Sequence, residues 1–126
     1  MVGIVIVSHS AKLAEGIVDL AGLMAAEAPM RAAGGMDDGG FGTSFEKISN
    51  AIDEIYSDDG VVILMDLGSA VMTTEMVIEM KEGQNLKMVD CPIVEGAIAA
   101  SVVAEGGAPI EDVVKAAETA GNTPKF

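Results

Sequence analysis

Histidine occurs once in this sequence, at position 9, inside the run GIVIVSHS (Gly3–Ser10). Asp66 ends a second apolar run, VVILM (Val61–Met65), and is followed by Leu67-Gly68-Ser69. A carboxylate beside an imidazole fixes the ring's tautomer and orientation and leaves the other ring nitrogen free to act. That is half of a catalytic constellation, and the other half must hold the reacting group. Gly39-Gly40-Phe41-Gly42-Thr43-Ser44 and Gly68-Ser69 both lead into helical patterns. Helix N-termini offer free amides and a positive dipole end, which suit a phosphate, and glycine lets the backbone come close.

These residues need elements to hold them. Val2–Val7 reads as a buried strand, being short, β-branched and apolar throughout. Ser10 is placed to cap a helix whose face carries Leu13, Ile17, Leu20 and Met24. Met30–Ala33 is the candidate second strand, and Gly34–Gly42 a loop. Thr43 and Glu46 have capping-box spacing, ahead of a face of Phe45, Ile48, Ile52 and Ile55. Asp58-Asp59-Gly60 is a turn, and Val61–Met65 a second clear buried strand. The third helix follows Gly68-Ser69 and aligns Met72, Met76 and Met80, a stripe expected to be core rather than a docking surface. Lys87–Val89 is a short strand, Glu95–Glu105 a helix closed by Gly106-Gly107, and Pro109 opens a last helix.

The order β-α-β-α-β-α-β-α-α predicts an α/β fold in one domain over residues 1–126, with a mainly parallel four-stranded sheet and helices on both faces. Open sheets of this kind bind ligands beyond the carboxyl ends of the strands, where strand order reverses. If strands one and three are neighbours, as in a flavodoxin-like arrangement, His9 and Asp66 meet there.

Composition narrows the chemistry. The 126 residues carry a net charge of −13 with only seven Lys plus Arg, which argues against nucleic acid and against insertion into or attraction to an anionic membrane. Half of the residues are hydrophobic, enough for a core without disulfides or metals. Aromatics make up 3%, so the core must be aliphatic and a flavin would lack stacking partners. Cys91 is alone, which fits a reducing compartment, and one His with one Cys builds no usual zinc site. No GxxxxGK[ST] is present, and GGMDDGG stands in the wrong place for a dinucleotide fingerprint. No basic segment precedes the first apolar run, and no apolar stretch nears the roughly 18 residues that span a bilayer. The expected location is the cytoplasm.

Each element also has a plain reading. Asp66 alone reads as a cap of the third helix, the glycine loop as a turn, His9 as a surface or capping residue, and Cys91 as a small buried hydrophobe. Their convergence on one sheet edge is what favours chemistry.

The stretches GIVIVSHS, AGGMDDGGFGTS (Ala33–Ser44) and MDLGSAVMTTE (Met65–Glu75) resemble the mannose-type enzyme IIA family of the bacterial phosphoenolpyruvate phosphotransferase system. Within it, the branch that serves dihydroxyacetone kinase is the nearer likeness. The resemblance covers nearly the whole chain. It implies a phosphorylated histidine at His9, a partner aspartate at Asp66, and phosphate binding at Gly68 and Ser69, with the loop from Gly39 through Gly42 to Thr43 lining the site. It implies a homodimer without a cofactor or bound metal, taking phosphate from the phosphocarrier HPr. Delivery would go to ADP held on the subunit DhaL, with DhaK binding dihydroxyacetone. Two alternatives stand beside this: a sugar-transport enzyme IIA that passes phosphate to an enzyme IIB, and a non-catalytic module that senses an anion or nucleotide. Some family members carry HPr-like, enzyme-I-like or IIB domains as well, and none of these is expected within these 126 residues. Thr73 and Thr74 stand where much of the family would carry an Asn.

Overall fold

The computed structural model describes residues 1–126. Its elements run β1 (Gly3–Ser8), α1 (Ala11–Met24), β2 (Met30–Gly34), α2 (Phe45–Ile55), β3 (Val61–Met65), α3 (Gly68–Glu79), β4 (Leu86–Val89), α4 (Ile93–Glu105), α5 (Ile110–Thr119) and a short 3₁₀ turn at Ala120–Asn122. The predicted order of elements is correct, and all four strands are parallel in the order β2-β1-β3-β4. The first and third strands are therefore neighbours at the point where strand order reverses.

Sheet position explains the strand sequences. β1 lies between β2 and β3, and all six of its residues are buried. Such a strand must be apolar on both faces. The edge strands β2 and β4 admit the exposed Arg31 and Lys87. Two cores form on opposite sides of the sheet. Val2, Ile4 and Ile6 pack with small and branched residues of α1, α4 and α5. Val5, Val7, Val61 and Ile63 pack with Ile48 and Ile52 of α2 and with Ala70 and Val77 of α3.

The helix faces need correction. Ser10 caps α1 as expected, its Oγ accepting from the Leu13 amide at 3.2 Å. The buried face of α1, however, is Ala14, Ile17 and Ala21, while Leu13, Leu20 and Met24 are exposed. α4 buries an equally small stripe of Gly96, Ala97, Ala100, Ser101 and Ala104. Small side chains let these helices approach the sheet and each other closely, so the larger residues are left outside. The methionine stripe of α3 is likewise not core: Met72, Met76 and Met80 are 70%, 57% and 76% exposed, and the helix buries Ala70, Thr74 and Val77 instead. The cap of α2 is Ser44, accepting from the Lys47 amide, and not Thr43. Pro109 sits at the cap of α5, one position before its first turn.

Candidate functional site

The site is built where β1 and β3 end. Val7 pairs with Met65, the last pair in that register, so Ser8 and Asp66 are the next residues on each strand. One step further, the chain leaves β1 as His9 and β3 as Leu67.

Asp66 receives four donors. Its Oδ2 accepts from the Ser8 hydroxyl at 2.8 Å and the His9 amide at 3.0 Å. Its Oδ1 accepts from the Leu67 amide at 2.8 Å and faces His9 Nδ1 at 3.0 Å. Burial alone would push this carboxyl up, but the four bonds outweigh it and hold the pKa below the ordinary 3.8. Asp66 is thus not a simple helix cap, for α3 begins behind Leu67 with no side-chain cap.

The carboxylate only accepts, so His9 Nδ1 carries a hydrogen, and in the neutral ring Nε2 keeps its lone pair. Nε2 faces the exposed Ser69 hydroxyl in hydrogen-bond contact. In that neutral form the Ser69 hydroxyl is the donor and Nε2 the acceptor. His9 and Asp66 side chains are 23% and 14% exposed, so the ring is held firmly yet reachable from solvent.

Each residue of the Ser-His-Ser triplet has its own task. Ser8 is buried, donates to Asp66 and accepts from the Ser10 amide at 3.0 Å. His9 is the imidazole, and Ser10 caps α1. Ser8 was not singled out from sequence, although the inward position of the last strand residue was there to be counted.

The glycine loop joins the site through its backbone. Gly42 donates its amide to the His9 carbonyl at 2.9 Å; its φ of +144° is one side chains rarely adopt, and a Cβ there would also have to push aside the flexible end of Met36. Gly39, at φ +87°, donates to the Met36 carbonyl at 3.0 Å, a bond internal to the loop. Lys47 Nζ ties the loop down by donating to the Gly34 and Met36 carbonyls at 3.0 and 3.2 Å. Thr43 Oγ1 lies 2.9 Å from Thr73 Oγ1 on α3. Gly34, also not singled out from sequence, fixes the close passage of β2 beside α1. A Cβ there would stand 2.6 Å from the Ser10 carbonyl oxygen and 2.8 Å from Ala11 Cα. Gly68 opens α3 with free space around its Cα. By helix geometry the Gly68 and Ser69 amides at the start of α3 lack partners within the helix, whereas the Ala70 amide donates to the Leu67 carbonyl at 3.0 Å.

Beside Asp66 a cleft of about 490 Å³ runs between the ends of β3 and β4, lined among others by Leu67, Val71, Met88 and Cys91. Burial, with Asp90 and Glu118 nearby, pushes the Cys91 thiol up to about 11, so it is a poor nucleophile. No group of three His, Cys, Asp or Glu side chains is placed to hold a metal ion. No helix is long and apolar enough to cross a membrane.

Comparison with known proteins gives this geometry a family. Residues 3–114 match the family model EIIA-man, described as PTS system fructose IIA component. The phosphotransferase subunit DhaM of the PTS-dependent dihydroxyacetone kinase from Lactococcus lactis is 40% identical over 111 residues, covering 88% of this chain and 89% of that protein. The phosphoryl donor subunit DhaM from Escherichia coli is 37% identical over 121 residues, and there the match spans only 26% of the relative's length. A crystal structure of a protein of unknown function superposes over the whole of both chains with a TM-score of 0.87 at 33% identity. The EIIA component from Streptococcus agalactiae shares the fold, with a TM-score of 0.71 at 18% identity over 97% of this chain and 93% of that one. An oriented imidazole at the switch point of a four-stranded parallel sheet is thus met in a chain that belongs to the mannose-type enzyme IIA family of the phosphotransferase system, among its DhaM members.

Proposed function

We propose that this chain is a phosphohistidine carrier that takes a phosphoryl group from HPr and delivers it to ADP held on a DhaL-type subunit, in support of dihydroxyacetone phosphorylation. One observation carries the reading. Asp66 takes the hydrogen of His9 Nδ1, and the lone pair of Nε2 points outward at the strand ends.

In the first step the Nε2 lone pair attacks the phosphorus of the donor phosphohistidine. The new N–P bond forms as the donor's N–P bond breaks, and that bonding pair returns to the donor imidazole. Little covalent chemistry falls to the protein, whose work is positioning and charge balance. Positive charge grows on the His9 ring, and Asp66 lies 3.0 Å from Nδ1 to balance it. Ser69 must turn its hydroxyl away from Nε2 to admit the phosphoryl group, and from there it donates to a phosphoryl oxygen. Gly68 and the first turn of α3 add amides and the positive end of the helix dipole. Gly39, Gly42 and Thr43 act as the wall of the site, with Gly42 holding the His9 backbone. In the second step the Nε2–P bond breaks, and an oxygen of the ADP β-phosphate takes the phosphoryl group to give ATP on the partner.

The chain works in the cytoplasm as a single domain over residues 1–126 and as a homodimer, with DhaK as the dihydroxyacetone-binding member of the system. Exposed Leu67, Met72, Met76 and Met80 on and flanking α3 give the dimer and its partners an apolar face to cover.

The test is phosphorylation by phosphoenolpyruvate, enzyme I and HPr, read by intact mass. One acid-labile phosphate is expected on the wild type and none on His9→Ala. A phosphate retained by His9→Ala would sink the assignment, and a wild type that gains none would favour the anion-sensing module.

A further inference from the structure

Thr73 lies on α3, half buried, seven residues after Asp66. A threonine within a helix usually bonds its own preceding turn, as Thr119 does with the Lys115 and Ala116 carbonyls at 3.0 and 3.3 Å. Thr73 does this only loosely, at 3.4 Å to the Ser69 carbonyl oxygen. Its shorter bond, 2.9 Å, reaches across the sheet edge to the hydroxyl of Thr43. A carbonyl only accepts, so Thr73 donates to Ser69, while in the shorter bond with Thr43 either hydroxyl can be the donor.

These two bonds close a ring. From His9 Nε2 it passes to the Ser69 hydroxyl, and from the Ser69 carbonyl to Thr73 Oγ1. It continues to Thr43 Oγ1 and along the chain to Gly42, whose amide donates back to the His9 carbonyl at 2.9 Å. The imidazole and the carbonyl of one residue are thereby held by one circuit. The circuit joins the loop after β2 to the first turn of α3, the two walls between which a phosphoryl group on Nε2 must fit.

We propose that Thr73, with Thr43 as its partner, is a positioning residue for phosphoryl transfer at His9, an inference that rests on the carrier reading above. It keeps the Ser69 backbone fixed relative to His9 while the Ser69 hydroxyl swings from Nε2 to a phosphoryl oxygen. Losing the Thr73 hydroxyl leaves the His9–Asp66 pair whole and lets the two walls part. Displacements near 1 Å in such a site cost up to about 10²-fold in rate, and a loosened wall should cost about tenfold.

The experiment compares Thr73→Val, Thr73→Ser, Thr43→Val and the double variant Thr43→Val/Thr73→Val. Single-turnover phosphorylation is followed across phospho-HPr concentrations, and the ¹⁵N resonance of His9 Nε2 is recorded in the unphosphorylated proteins. Thr73→Val should lower the maximal rate about tenfold with an unchanged half-saturating donor concentration. Thr73→Ser should stay within about twofold of wild type, and the double variant should be no slower than Thr73→Val, since the two hydroxyls share one bond. The Nε2 resonance should move in Thr73→Val and not in Thr73→Ser. A wild-type rate and an unmoved Nε2 in Thr73→Val, or losses that multiply in the double variant, would overturn the proposal. Should Thr73→Val fail to fold, Thr43→Val on the loop tests the same bond. A wild type that takes no phosphate overturns the carrier reading, and the Nε2 comparison then still decides whether Thr73 holds Ser69.

Discussion

His9 Nδ1 lies 3.0 Å from Asp66 Oδ1, while the other carboxylate oxygen accepts the His9 amide at 3.0 Å. One carboxylate therefore fixes both the ring and the backbone of the histidine, from a position 57 residues away in the chain. The ring can neither flip nor change tautomer without losing a charge-assisted bond. That makes Asp66 the residue whose replacement should separate folding from chemistry.

Asp66→Asn keeps the shape and removes the charge that balances the imidazolium. Transfer from phospho-HPr should slow by roughly 10²-fold or more, within what orienting and acid–base groups supply. Far-UV circular dichroism should be unchanged. Wild-type transfer rates in Asp66→Asn would return Asp66 to a purely local role at the start of α3.

The depressed pKa of Asp66 also makes a statement about stability. A carboxyl held below its ordinary 3.8 in the folded protein stabilises it above that pH. The contribution fades as pH falls through 3.8 and on through the lower folded value. Urea denaturation of wild type and Asp66→Asn should show the wild type ahead at pH 6, with the gap closing below about pH 3.8. A gap independent of pH would show that the carboxylate's charge contributes nothing to folding.

Gly34→Ala should cost about 1–3 kcal/mol, the usual range for forcing an extra carbon into a packed place. The Cβ would meet the Ser10 carbonyl oxygen at 2.6 Å and Ala14 Cβ at 2.9 Å, so either β2 or α1 must move. Because Ser10 follows His9, phosphorylation should suffer along with stability. Gly39→Ala, with open space around its Cα, should instead show only the strain of a side chain at φ +87°. Equal thermal denaturation midpoints for Gly34→Ala and wild type would contradict the packing argument.

A chain of net charge −13 bearing a doubly charged phosphoryl group repels free nucleotide. Phosphorylated protein should therefore make no ATP from Mg-ADP in solution, and should make it readily from ADP loaded on a DhaL-type subunit. Transfer should weaken with salt, since exposed charges are screened beyond about 10 Å at 0.1 M. Transfer to a mannose-type enzyme IIB but not to the loaded subunit would move this protein to sugar transport.

Much of this molecule was legible before any coordinates. The number and order of strands and helices follow from apolar runs and 3.6-residue periods, because inner parallel strands must be apolar on both faces. His9 and Asp66 stood out because each ended such a run. Which face of a helix is buried was not legible where apolar residues surround the axis, as in α1 and α3. There Leu13 and Leu20 recur at helical spacing as Ala14 and Ala21 do, and the methionines as Ala70, Thr74 and Val77 do, and only close packing chooses the smaller ones. The capping serine of α2 was missed by one position because Thr43 and Ser44 are chemically alike, and the fold assigns Thr43 to Thr73 instead. The contact between His9 and Asp66 itself depends on β1 and β3 being adjacent, in a register that sets Ser8 opposite Asp66. Local sequence determines the strands, but strand order and register are settled by how the helices cover both faces of the sheet. The four bonds on Asp66, the lone pair left on Nε2 and the ring through Thr73 exist only once that packing is complete.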